Sequence, residues 1–147
     1  MTLQFADDRL AMQRACDLAA RGIGAVEPNP PVGAVVVDSE RQLLGEGFHE
    51  SFGSAHAEVI ALRNAGEKTH GATLFVTLEP CAMCAGAIAH ARIAKLYYAA
   101  PDSKGGGVEH GARVFDHPQC LHRPEVYAGI AEQEAAELLR AFFRERR

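Results

Sequence analysis

The stretch "ATLFVTLEPCAMCAGAIAHARIAKLYYAA" (residues 72–100) decides the fold. It opens with an apolar, β-branched run from Ala72 to Leu78, suited to a strand buried on both faces. Glu79-Pro80 ends that run, Cys81 to Ile93 reads as an alanine-rich helix, and Ala94 to Ala100 is a second buried strand. Strand, helix and strand in this order imply a right-handed crossover and a parallel pair with the helix packed on one face.

Working outward, the same grammar continues. Upstream, "VGAVVVD" (32–38) is a short buried strand, and "LLGEGFH" (43–49) is its hairpin partner. "AHAEVIALRNAG" (55–66) is a helix closed by Gly66. Before them, Leu10, Ala11, Ala15, Leu18 and Ala19 recur at helical spacing from Asp7 to Arg21, and the glycines and prolines of "RGIGAVEPNPP" stop that helix. Downstream, the glycine-rich "PDSKGGGVEHGARV" (101–114) reads as the most flexible segment, at a sheet end where α/β proteins place ligand-contacting loops. "AEQEAAELLRAFFRERR" (131–147) is an amphipathic helix, acidic early and basic late, in accord with its macrodipole. One of the rings of Phe142 and Phe143 is expected in the core and the other at the surface. The order is α-β-β-α-β-α-β, an α/β chain expected to form a single domain over residues 1–147.

Composition narrows the function classes. The chain has 147 residues, 48% of them hydrophobic and 23% charged, and no apolar run of the roughly 18 residues a membrane span needs. Acidic residues stand where a signal peptide has its basic region, so a cytoplasmic protein is expected. A net charge of −4 weighs against a surface made for nucleic acid, unless positive charge is gathered locally. Arg140, Arg144, Arg146 and Arg147 are such a gathering.

The chemistry sits in two helix starts. His56 and Glu58 are two apart at the start of one helix, and Cys81 and Cys84 are three apart at the start of the next. A C-x-x-C alone fits a redox pair, a structural metal clip or a catalytic metal site. Cys16 and Cys120 lack neighbours at ligand spacing, as do His90, His110, His117 and His122, which read as structural or surface residues. One imidazole and two thiolates make three ligands, the number with which a catalytic zinc keeps its fourth position for water. Glu58 is then the proton carrier and not a ligand.

With its strand and helix context, H-x-E followed by P-C-x-x-C resembles the signature of zinc-dependent nucleobase deaminases. The chain resembles the cytidine deaminase-like superfamily from about Arg9 onward, and within it the bacterial tRNA adenosine deaminases. The most specific segments are "TLEPCAMCAGAIAHARI", "APDSKGGGVEHGARVF" and "HRPEVYAGIAEQEAAELLRAFFRERR". The resemblance implies a three-layer α/β/α fold around a mixed sheet of about five strands. It implies one Zn²⁺ per chain on His56, Cys81 and Cys84, with Glu58 shuttling protons. It also implies base contact by the Ala57 backbone, RNA contact by the loop of Asp102 and Lys104, and a homodimer that converts adenosine to inosine in the tRNA anticodon stem-loop.

Two segments depart from that pattern. His49 in "GEGFHESFGSAHAE" stands where the family usually has asparagine, the loop to His56 is short, and "EPNPPVG" is unusual before the first strand. They resemble the riboflavin-pathway aminopyrimidine deaminases, which use the asparagine and histidine of such segments around substrate. Asn29 and His49 are therefore candidate substrate contacts, although Asn29 between Pro28 and Pro30 fits a turn equally well. Those deaminases carry a longer insertion between their zinc cysteines, absent here. A deaminase of a free base, nucleoside or nucleotide is the alternative expectation. Glu58 argues against a non-enzymatic zinc-binding subunit, where a proton carrier has no use.

Overall fold

The computed structural model describes residues 3–144. Helix α1 (Asp8–Ala20) starts at Asp7, whose carboxylate accepts the Leu10 N–H at 2.9 Å. Strands β1 (Gly33–Val37) and β2 (Leu43–Phe48) form the expected hairpin. Helix α2 (Ala57–Ala65) ends at Gly66, whose φ of 61° is the backbone state that favours glycine. Strand β3 (Thr73–Leu78), helix α3 (Ala82–His90) and strand β4 (Lys95–Ala100) make the parallel unit. Strand β5 (Glu125–Ala128) and helix α4 (Glu132–Arg144) complete the order.

The five strands lie in the order β2-β1-β3-β4-β5, with β1 antiparallel to both neighbours and β3, β4 and β5 mutually parallel. Period-two alternation sorts the side chains. Ala34, Val36, Leu74, Val76, Leu96 and Tyr98 face α2 and α3, while Val35, Val37, Phe75 and Ala99 face α1 and α4. Every residue of β1 is buried, which is why this strand reads as a continuous apolar run and not as an alternation. Each large side chain so buried contributes about 1.5–3 kcal/mol. On the α1 face the rings of Phe75, Tyr97 and Tyr127 stack across β3, β4 and β5 with centroids 4.8 Å apart at each step. Across the other end of that layer, the Arg14 guanidinium grips both carboxylate oxygens of Glu46, tying α1 to β2.

Three expectations meet corrections. The strand at Glu125–Ala128 was not located from the residues, because it is a short sheet edge with only Val126 half-buried. The last helix begins at Glu132, since Ala131 has a φ of 55° outside helical space. Residues 101–114 are not a loose loop: Gly106, Gly107 and Val108 are buried, and their backbone is hydrogen bonded into the sheet end. Phe142 is buried and Phe143 is 51% exposed, as the pairing of rings suggested. Arg140 and Arg144 are exposed on α4, while Arg146 and Arg147 lie outside the described residues. No helix among the described residues is long and apolar enough to cross a membrane.

Close backbone approach sets the helix layers. A Cβ at Gly33 would stand 2.0 Å from the Ala15 carbonyl oxygen of α1, and one at Gly45 would stand 2.5 Å from the Ala61 carbonyl oxygen of α2. Gly33→Ala should therefore cost at least about 1–3 kcal/mol by overpacking. Gly86→Ala, whose Cβ would meet nothing within 4 Å on α3, should stabilise by about 0.5–1 kcal/mol. Urea unfolding midpoints compared with wild type check both; similar shifts for the two variants would contradict this packing.

Candidate metal and catalytic site

Helices α2 and α3 begin beside each other at one end of the sheet, and their first turns carry the four residues singled out by sequence. His56 is the N-cap of α2 and Cys81 is the N-cap of α3, yet neither side chain caps its own helix. Both turn instead toward a shared centre. His56 Nδ1 lies 3.7 Å from Cys81 Sγ and 3.4 Å from Cys84 Sγ. All three donor atoms are within 4.8 Å of one another.

The donors pass a simple test for zinc. A tetrahedral ion with N and S bonds of about 2.05 and 2.3 Å has an N–S edge of about 3.6 Å, so the two measured separations straddle the ideal. The thiols are also prepared as ligands. Cys81 is held down to about 5, first by the hydrogen bond it accepts from Cys84. The same bond, together with burial, pushes Cys84 up, and a bound cation would favour the thiolate form of both.

Glu58, on the first turn of α2, is only 4% exposed. Burial pushes its carboxyl up to about 7, against the lowering effect of its hydrogen bonds and of His56. A carboxyl poised there can accept a proton and return it near neutral pH. It is hydrogen bonded to Cys84, so it stands at the edge of the ligand set.

A cavity of about 190 Å³ opens over this centre. Its wall brings together Asn29, His49, His56, Ala57, Glu58, Cys81 and Asp102, along with Glu79 and Gly105. Lys104 is exposed on the adjoining loop and does not line the cavity. His49, 4% exposed, gives its Nδ1–H to the Ala55 carbonyl at 3.1 Å. That leaves Nε2 to accept from the Asn29 amide at 3.2 Å. The two residues, 20 apart in the chain, are therefore one unit in the cavity wall. His90, His110, His117 and His122 stand outside the three-ligand group, and His122 instead bonds the Ile93 carbonyl.

Sequence reading missed Glu79. Its side chain is buried, and its two oxygens take hydrogen bonds from the N–H groups of Asp102, Val108, Glu109 and His110 and from the His110 ring. The available signal was an acid at the exit of a wholly apolar strand, with a glycine-rich run downstream to supply backbone donors.

The model of the cytidine and deoxycytidylate deaminase zinc-binding region matches residues 6–100. The chain belongs to this deaminase family. It is 50% identical to the tRNA-specific adenosine deaminase of Agrobacterium fabrum over 80% of this chain and 82% of that one. Among solved structures it resembles a chain from a study of A-to-I editing by tRNA:A34 deaminases at the wobble position, at 42% identity and a TM-score of 0.77, covering 88% of this chain and 99% of that chain. It resembles the RibD protein of Acinetobacter baumannii at 43% identity and a TM-score of 0.81, covering 93% of this chain but only 39% of that longer one. The deaminase is thus a hydrolytic enzyme of the α/β class, its fold the mixed five-stranded sheet described above.

The ligand assignment has a direct consequence. Cys84→Ser replaces a fully buried thiol with a poorer zinc donor, so metal content and turnover should fall together. Metal analysis of the purified variant checks this; a full complement of zinc would remove Cys84 from the ligand set.

Proposed function

We propose that the chain is a cytoplasmic, single-domain tRNA adenosine deaminase that converts the wobble adenosine of the anticodon stem-loop to inosine. The observation that carries this reading is the 50% identity to a tRNA-specific adenosine deaminase over four-fifths of the chain, reaching across the zinc-type triad and Glu58. The homodimer follows from the same resemblance.

His56, Cys81 and Cys84 would hold one zinc ion per chain. The ion supplies the Lewis acidity that makes a water molecule nucleophilic near neutral pH. Glu58 takes the proton from the attacking water, passes it to the ring nitrogen beside the reacting carbon, and later helps protonate the departing ammonia. The C–O bond forms first, as the ring nitrogen takes its proton, and the C–N bond to the exocyclic amine breaks afterwards, as the protonated amine leaves as ammonia. Ala57, at the first position of α2, offers its backbone to the base edge. Asp102 accepts the N–H groups of Lys104 and Gly105, at 3.0 and 2.8 Å, and so shapes the loop that meets the flanking nucleotides.

A second reading has its own observation. The Asn29–His49 unit in the cavity wall resembles the pocket of riboflavin-pathway deaminases, and RibD relatives align over most of this chain. With its amide N–H committed to His49, Asn29 keeps its carbonyl oxygen for a donor on a small aminopyrimidine or a ribose. The discriminating experiment incubates the purified enzyme with tRNA transcripts and, separately, with a panel of bases, nucleosides and an aminopyrimidine nucleotide. Inosine in the tRNA with no ammonia from the panel supports the first reading; ammonia from the panel alone supports the second.

Two variants probe the proposed parts. Glu58→Ala should keep its zinc and lose about 10²–10⁴-fold or more in turnover, because the ligands remain while the proton carrier is gone. Near-normal turnover in a zinc-loaded variant would refute that role. Replacing Arg144, Arg146 and Arg147 with alanine should weaken tRNA binding and flatten its dependence on salt by roughly 0.7–0.9 in log–log slope per lost phosphate contact. An unchanged slope would remove these arginines from the RNA surface.

A further inference from the structure

The glycine-rich loop after β4 is held by a single carboxylate. Glu79 Oε2 accepts the N–H groups of Val108, Glu109 and His110 at 3.2, 3.0 and 3.1 Å. Its Oε1 accepts the Asp102 N–H at 3.1 Å and the His110 Nδ1–H at 2.7 Å. Five donors converge on the roughly four lone-pair sites of an ionised carboxylate, three of them sharing Oε2, and such charge-assisted bonds are the strong ones. Around this hub the fit is close. A Cβ at Gly106 would lie 2.5 Å from both Glu79 Oε2 and the Asp102 carbonyl oxygen. A Cβ at Gly107 would lie 2.5 Å from the Ala82 nitrogen, against the turn that presents Cys81. Gly107 also donates its N–H to the Pro80 carbonyl at 2.7 Å, and the Tyr98 hydroxyl donates to Glu109.

This loop is one wall of the cavity, through Asp102 and Gly105, while Glu79 itself lines the cavity floor between β3 and Cys81. We propose that Glu79 is a positioning residue for deamination: its carboxylate folds residues 102–110 against the Cys81 turn and so fixes the substrate-facing wall of the cavity. Gly106 is required because the loop backbone must reach the carboxylate itself, and Gly107 because the loop abuts the Cys81 turn. Glu79 holds no proton for the reaction and binds no metal; it acts through Asp102 and Gly105. The inference rests only on the chain being a deaminase, whichever substrate it takes.

The two oxygens have different tasks, and that makes the test specific. In Glu79→Gln the side-chain oxygen can keep the three N–H groups at the Oε2 position. The amide NH₂ then faces His110 Nδ1, which accepts from it in its other tautomer, and the Asp102 N–H, which cannot. Amide-resolved hydrogen exchange on the zinc-loaded protein should show Asp102 exposed and Val108 to His110 still protected. Glu79→Ala should expose all four. Gly106→Ala keeps the carboxylate but pushes the loop from it, and should loosen the same amides, which preserves the test if Glu79→Ala fails to fold. In Glu79→Gln, on the substrate that wild type turns over in the panel above, KM should rise about tenfold or more because the substrate-facing wall is no longer held, with kcat changed much less and zinc content retained. Wild-type protection of all four amides in a folded variant, or a fall in kcat and zinc at unchanged KM, would overturn the proposal. The exchange measurement needs no substrate, so it fails or succeeds independently of the tRNA reading.

Discussion

The site depends on one reversal of chain direction at the centre of the sheet. Because β1 runs antiparallel to both β2 and β3, those two strands point the same way and end at the same edge. The helices that follow them, α2 and α3, must both begin there, and the crossover rule lays α3 beside α2 on one face. Two helix N-termini with their orphan N–H groups then meet within a few ångströms. Such a place favours thiolates, and the thiolates in turn attract a cation. Two of the three ligands, His56 and Cys81, consequently stand at the N-cap positions of the two helices, and Cys84 follows in the first turn of α3.

The same small region holds two buried carboxylates whose surroundings drive them apart. Glu58 is desolvated with little compensation, and its carboxyl rises to about 7. Burial also acts to raise Glu79, but the Asp102 N–H, the His110 ring and the further N–H groups of the loop outweigh it and hold the group below its usual range. One acid can therefore trade a proton, and the other stays an anion around which backbone is folded. What separates a proton carrier from a structural anchor here is the supply of donors, which the two residue names do not reveal.

That distinction marks where sequence reading ran out. The parallel unit was legible because β3 and β4 are buried on both faces and α3 is closed off by its own composition. The ligand triad was legible because local spacing put each residue at a helix start. Strand β5 was not, since an exposed edge of four residues with one half-buried valine has no hydrophobic period to detect. The loop at 101–114 looked loose because its glycines are locally permissive, while the group that fixes them is 23 to 31 positions upstream. Asn29 and His49 could be flagged singly, but their hydrogen bond exists only once β1 and β2 have paired.

Two parts of the molecule differ in how far they can change without disturbing the core. The triad and Glu58 sit on elements whose positions follow from strand direction and helix crossover, so any substrate-directed change there disturbs the core beneath α2 and α3. The cavity wall is made by three connections: the turn holding Asn29, the segment from His49 to Ala55, and the loop anchored on Glu79. The first two are pinned by the Asn29–His49 and His49–Ala55 bonds, and the third by the donors that converge on Glu79. A mixture of tRNA-type and aminopyrimidine-type features is therefore physically permissible in one chain: the connections can differ independently while the metal geometry beneath them stays the same. Specificity in this architecture is decided by which groups those three connections aim into about 190 Å³ of space, and the chemistry by the two helix starts below it.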